Sequence, residues 1–361
     1  MTTSRKRIGI LGVGFGSMVH IPGFRSEGWD VAAVYSRDKE RARSAAIEND
    51  VPDFHTQAHE LISRDDLDAV SIATPPAPHY EFAIAALRAG KHVLCEKPFA
   101  LSAAQAAEMR DVADETGLTA MVAHEFRHTP QRQLMKELID NGYIGDFKLA
   151  SLELFIGQND MTDGPPPPTS WATRKADGGG FLGALGSHFI DGLRYWFGDV
   201  ESVSARLETI HPDRMDPVTG KATTSETDDS FTFTLGFKEG GTAIMTASAA
   251  VSTRGARISV MGTEGTLYGE QAGPNPAEDG AILGAQGGNP LEAIDTPARL
   301  MPFSDARDPR LMAFRILVQD FNRGIQDGSS PSPNFVDAWR CQQILDAVRE
   351  SSDSGRTITL E

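Results

Sequence analysis

The chain has 361 residues, 40% hydrophobic and 23% charged, an ordinary soluble composition and long enough for two domains. No apolar run approaches the roughly 20 residues needed to span a bilayer, which argues against a membrane role. With 34 basic against 50 acidic side chains the net charge is −16, which argues against nonspecific binding to nucleic acid or anionic lipid, so an anionic ligand must be held by local dipoles and a few placed cations.

Arg5-Lys6-Arg7 passes directly into an apolar run, without the apolar core and cleavage site of a signal peptide, so a cytoplasmic location is expected. From there to about residue 125, short apolar runs alternate with helical spacing. Strands are expected at Arg7–Gly12, Val31–Ser36, Ala69–Ala73, His92–Glu96 and Thr119–Ala123, with helices such as Lys39–Asn49 and His79–Ala89 between them. This rhythm predicts an α/β Rossmann domain, a doubly wound parallel sheet, over 1–127. Cys95 falls in one of these strands and the other cysteine is Cys341, so no disulfide framework is expected.

A helix over Pro130–Asn141, stopped at Gly142, opens the second part. Strands at Phe147–Ile156, Val200–Ile210, Ser230–Phe237, Thr242–Val251, Arg257–Gly262 and Thr266–Tyr268 alternate with period two. They predict a C-terminal α+β domain over 128–361 with a large, mainly antiparallel open sheet, for substrate binding and oligomerisation. Two helices within Asp308–Ser351 and a strand at Thr357–Leu360 close the chain, and the final helix and strand are expected either to stay with this domain or to pack back near the Rossmann domain. Thr162–Ser170, with its four prolines at 165–168, reads as a stiff loop, and Gln271–Pro302 as a long irregular excursion. If one face of the sheet is left uncovered it should pair with another subunit, so a homodimer or homotetramer is expected.

Gly12 and Gly14 follow the first strand directly, then Phe15, Gly16 and, where a third small residue is expected, Ser17. Gly12 permits a tight turn, Gly14 lets a pyrophosphate approach the backbone, and Ser17 allows helix and strand to pack closely. At the end of the second strand, the position that would carry a carboxylate to grip the ribose 2′-OH of NAD is Ser36, followed by Arg37. Both side chains can donate to a 2′-phosphate, so NADP is favoured over NAD. Thr74, Pro75 and His79 follow the third strand, and Glu96 and Lys97 the fourth. These are carboxyl ends of parallel strands, where the reactive ring of a dinucleotide should lie.

Gly12-Val13-Gly14, Ala73-Thr74-Pro75 and the block from Gly90 to Pro98 resemble the dinucleotide domain of the Gfo/Idh/MocA oxidoreductase family, and the block from Gly178 to Asp191 is similar to its second-domain motif. The resemblance runs along nearly the whole chain. It implies an NAD(P)-dependent oxidoreductase acting on a secondary alcohol or ketone of a carbohydrate-like small molecule (a sugar, polyol or related cyclic compound), with hydride passing to or from nicotinamide C4. Lys97 would reach the substrate hydroxyl and His188 would be the general base, which suits a reaction needing a near-neutral base and a cation for developing oxyanion character.

The chain departs from the family at Ala184, four residues before His188, where aspartate is common. Asp191, three residues after His188 and on the same helical face, reads either as support for the imidazole or as a structural carboxylate. His124 and Arg127 follow the last Rossmann strand, where the resemblance implies polar residues at the substrate. Trp171 reads as a stacking surface for a sugar or as a core indole. No metal-ligand spacing is present. Two other functions stay open: an NAD-dependent glycosidase working by transient sugar oxidation and elimination, and a cofactor-sensing regulator without chemistry, raised by the missing aspartate.

Overall fold

The computed structural model describes residues 5–157, 168–271 and 280–360. The chain forms two compact units, residues 1–125 with 304–342 and residues 126–303 with 343–361. It therefore passes between units at 125–126, 303–304 and 342–343, where the sequence places a single boundary near 128.

The first unit starts with β1 (Arg7–Leu11), α1 (Ile21–Ser26), β2 (Asp30–Tyr35), α2 (Lys39–Glu48), β3 (Phe54–His55) and α3 (Ala58–Ile62). It continues with β4 (Ala69–Ile72), α4 (His79–Arg88), β5 (His92–Cys95), α5 (Ala103–Thr116) and β6 (Ala120–Val122). The strands form a six-stranded parallel sheet in the order β3-β2-β1-β4-β5-β6, the doubly wound arrangement expected. Only β3 is new, because two residues are too short to carry a period-two signal. The strands divide their residues between two cores: Ile8, Ile10, Leu94 and Met121 enter one, Leu11, Val70, Val93 and Val122 the other. With both faces buried, polar chemistry is confined to the strand ends.

The second unit holds α6 (Pro130–Asp140), β7 (Phe147–Ile156), α7 (Ser187–Phe197), β8 (Val200–Glu208) and the small hairpin β9 (Asp213–Met215) and β10 (Ala222–Thr224). Then come β11 (Ser230–Phe237), β12 (Thr242–Ser248), β13 (Arg254–Gly262), β14 (Gly265–Gln271), β15 (Ile282–Gln286) and β16 (Glu292–Ile294). After α8 (Leu311–Asp327) and α9 (Phe335–Ser354), β17 (Ile358–Thr359) completes a nine-stranded sheet in the order β16-β15-β14-β13-β7-β12-β11-β8-β17. Its described pairs are antiparallel except β7 with β12. β15 and β16 correct the expectation of an irregular Gln271–Pro302: they are short, poor in β-branched side chains and flanked by glycine and proline, yet β15 pairs with β14 over five residues. Residues 272–279 of that stretch and 162–167 of the proline loop lie outside the described residues. In β11, Phe231, Phe233, Leu235 and Phe237 are buried while Thr232 is exposed, and the opposite-face neighbours Ile244 and Leu149 are 39% and 36% exposed.

The segment that returns to the first unit is 304–342, with α8 and the start of α9, whereas the closing strand β17 stays with the second unit. Leu311, Phe314, Leu317, Val318 and Phe321, spaced three or four apart, pack into the same core as Ile8, Ile10, Phe24 and Trp29. At the rim, Trp29 Nε1 donates to Asn322 Oδ1 (2.9 Å) and Arg315 Nε to Glu27 Oε1 (2.7 Å). The amphipathic spacing announces an apolar face without naming the sheet that receives it. Among the described residues, no helix is long and apolar enough to cross a membrane.

Candidate active site

In the first unit, the turn after β1 is built for close approach. Gly12 has φ +110° and donates its N–H to Tyr35 O (3.0 Å), and a Cβ there would lie 2.4 Å from Ala73 O, so no other residue fits. At Gly14 the same construction meets nothing within 4 Å, so open space faces the backbone. Gly16 to His20 then winds as a single π-helical turn into α1. The Oγ of Ser17 and the Oγ1 of Thr74 are buried with no hydrogen-bond partner among the described residues. Orphaned hydroxyls beside an open glycine turn are what a polar ligand such as a dinucleotide phosphate would satisfy. At the end of β2, Ser36 Oγ accepts from Asp38 N (3.3 Å), while Asp38 caps α2 by accepting from Arg41 N (3.0 Å). Arg37 is exposed.

Along the strand ends, a residue the sequence reading missed organises the site. His20, fully buried, places Nδ1 2.7 Å from Ser71 Oγ and Nε2 3.0 Å from Glu96 Oε1, and Glu96 Oε2 accepts from Lys97 N (3.2 Å). Burial alone would raise the Glu96 carboxyl, but the hydrogen bond and charge of His20, aided by Lys97, hold it below its ordinary value. Glu96, expected at the cofactor, therefore turns both oxygens to the protein and braces half-buried Lys97. His79 is corrected too. Its Nδ1 lies 3.0 Å from Pro98 O and its Nε2 2.9 Å from Thr74 O, with no exposed surface. Burial keeps this imidazole below its usual range, so a neutral ring donating to one carbonyl at a time ties together the loops that carry Thr74, Pro75 and Lys97.

Next to buried His124 lies a second overlooked group, Glu125, 1% exposed, whose Oε2 has no hydrogen-bond partner among the described residues. Burial first, and the field of Glu96 second, push this carboxyl up to about 8. Two carboxyls of one unit are thus driven apart, Glu96 toward the anion and Glu125 toward the neutral acid. No spacing rule links residues 20, 96 and 125; the fold alone brings them into one unit.

In the second unit, a π-helical turn over Leu182–Gly186 leads into α7. Ala184 sits in this turn, and its N–H donates to Gly180 O (2.9 Å). His188 is 2% exposed and stacks face to face on Phe126, with 3.7 Å between centroids and 7° between planes. Arg132 lies over the Phe126 ring at 5.1 Å and over Phe189 at 4.6 Å. Asp191 accepts from Arg127 through Nε (2.9 Å) and Nη2, both residues being at most 3% exposed. Arg127, expected at the substrate, is thus committed to a buried bidentate pair. Trp171 is half-buried and opens a 3₁₀ turn closed by reciprocal Ser170 and Thr173 hydrogen bonds. Asp228, unremarked in the sequence, accepts from Leu182 N (2.7 Å) and fixes the start of the His188 segment; burial raises its carboxyl. Among the described residues, no group of three or more His, Cys, Asp or Glu is placed to hold a metal ion.

Comparison with known proteins decides the lineage. Residues 6–124 match the model of an oxidoreductase family with an NAD-binding Rossmann fold, and residues 132–268 match the GFO/IDH/MocA C-terminal domain. Levoglucosan dehydrogenase of Pseudarthrobacter phenanthrenivorans is 30% identical over 337 residues, covering 87% of this chain and 84% of the relative. The chain belongs to the Gfo/Idh/MocA oxidoreductase family. A further relative within it, scyllo-inositol 2-dehydrogenase (NADP(+)) of Bacillus subtilis, is 27% identical over 371 residues, covering 98% of this chain and 96% of its own. A solved levoglucosan dehydrogenase in complex with NADH and levoglucosan superposes with a TM-score of 0.87 at 25% identity, covering 99% of each chain. The Gfo/Idh/MocA fold is therefore present in full, the parallel sheet as its NAD-binding Rossmann part and the nine-stranded sheet as its C-terminal part.

Proposed function

We propose that this family member is an NADP-preferring dehydrogenase that interconverts a secondary alcohol and a ketone on a sugar, polyol or related cyclic compound. The observation that carries the reading is the strand-end brace in which His20 fixes Glu96 and Glu96 accepts from the Lys97 amide, setting the loop from which the lysine ammonium projects. When bound, the nicotinamide supplies the carbon that exchanges hydride with the substrate. The Lys97 ammonium donates to the substrate oxygen as negative charge grows on it. His188 takes the hydroxyl proton, its ring plane set by Phe126. The substrate class is supported by relatives named for levoglucosan and scyllo-inositol.

For the cofactor, the reading rests on Ser36 in place of a carboxylate, on Asp38 being occupied as a helix cap, and on exposed Arg37, which has no ion pair among the described residues. The Bacillus relative, named for NADP(+), supports it. The test is a fluorescence titration of cofactor-stripped protein with NADPH and NADH. NADPH should bind more tightly, and Arg37→Ala should weaken it by about 10-fold while leaving NADH unchanged, one charge-assisted contact being worth about that much. Tighter NADH binding that Arg37→Ala does not alter would overturn the choice of NADP. The exposed apolar residues Leu149 and Ile244 on one sheet face further support a homo-oligomer, which light scattering checks; a monomer at micromolar concentration refutes it.

A further inference from the structure

The net charge of −16 raises the question of which cation meets the diphosphate of a dinucleotide. The glycine turn offers amides and the orphaned hydroxyls of Ser17 and Thr74. Glu96, buried in the same unit and held toward the anion, adds negative charge rather than removing it. The segment that returns to this unit brings Arg310, immediately before α8. Its guanidinium lies 4.9 Å from the centre of the Phe15 ring, the side chain between Gly14 and Gly16. Phe15 meets the His20 ring edge-on at 5.6 Å, and Phe314, one turn after Arg310, lies 4.5 Å from that same imidazole. Arg310 is thereby fixed on the glycine turn by packing at its ring and along its own helix.

Asp308 grips one edge of the guanidinium, accepting from Nε (2.8 Å) and Nη2 (2.5 Å). That leaves Nη1 without a hydrogen-bond partner among the described residues, on a side chain that keeps 26% of its surface exposed. Asp308 balances the charge and orients the fork.

We propose that Arg310, stacked on Phe15 and oriented by Asp308, is a dinucleotide-binding residue whose free edge pairs with the diphosphate seated at the Gly12–Ser17 turn. The assignment rests on the nucleotide reading of that turn. It makes the diphosphate site a composite of the first strand-turn-helix and a residue almost 300 positions later.

The test is equilibrium binding of NADH, NADPH and ADP-ribose to the full chain, with adenosine binding followed by saturation-transfer NMR. Arg310→Met, which keeps an apolar stem over Phe15, should weaken all three diphosphates by about 10-fold or more and flatten their salt dependence, leaving adenosine within about twofold. Arg310→Lys, with charge but no fork, should fall between. Unchanged diphosphate binding in Arg310→Met overturns the assignment, as does equal loss of adenosine, which signals a disrupted site. Loss of NADH affinity with ADP-ribose intact would move the contact to the nicotinamide and overturn it too. A wild-type chain that binds no dinucleotide defeats the nucleotide reading and this assignment together.

Discussion

Each unit buries one ionised carboxylate behind its candidate chemistry, and the two are held in opposite ways. Glu96 leans on one ring nitrogen of His20 and shares its surroundings with a second carboxyl, Glu125, which burial pushes up to about 8. Asp191 is clamped by two guanidinium bonds from Arg127, a cation that never titrates at ordinary pH. The strand-end group is therefore electrostatically responsive, whereas the helix group is geometrically fixed. The contrast follows from the scaffolds. A parallel sheet buried on both faces exposes only short loops, where several charged groups crowd together, while α7 presents Asp191 to Arg127 from one regular helix.

The largest expected effect tests the responsive side. Lys97→Ala should lower turnover by about 100-fold or more with dinucleotide affinity retained, as loss of an oxyanion-stabilising donor does; steady-state kinetics with undiminished turnover would remove Lys97 from the reaction. The fixed side is tested by stability. Asp191→Ala removes both carboxylate bonds of buried Arg127 and should cost about 3–5 kcal/mol in chemical denaturation, whereas the double change Arg127→Met with Asp191→Leu should recover most of it. A loss that varied steeply with pH between 6 and 9 would erase the contrast drawn above.

Glu125 sharpens that contrast through its sign. Its carboxyl titrates near 8 in the folded chain and near 4.5 when unfolded, so its contribution is fully present below pH 4.5 and is lost as pH rises to about 8. Glu125→Gln, a permanent mimic of the neutral acid, should therefore melt increasingly above wild type as pH rises from 5 to 9; a constant offset would refute the displaced titration. The smallest effect concerns Phe126. Replacing it with leucine should lower kcat by about 2- to 10-fold through the lost ring contact, with KM little changed, and Phe126→Tyr should restore it. If Tyr and Leu behave alike, the stacking does not position His188.

Much of this was legible in the sequence. Gly12, Gly14 and Ser17 announce their turn because the backbone demands of a strand-to-helix junction are local, and the strand alternation follows from burial alone. His20 gave no signal because its partners, Ser71 and Glu96, stand 51 and 76 residues away, and neither spacing nor propensity encodes such a meeting. Asp191 could be put on the face of His188 from periodicity, but the same rule could not reveal Arg127, 64 residues earlier. Likewise β15 and β16 escaped because their pairing depends on a neighbouring strand rather than on their own composition.

The return of α8 to the first unit also orders events during synthesis. Leu311, Phe314 and Phe321 complete the core that α1 and α2 share around Ile8 and Ile10, so the parallel sheet emerges first from the ribosome yet lacks one of its covering helices until α8 has been made. The second unit's strands up to β16 are all translated in that interval. A nascent chain stopped near residue 300 would carry the glycine turn, Lys97 and His188, and still present the apolar surface that α8 covers to whatever binds such surface in the cell.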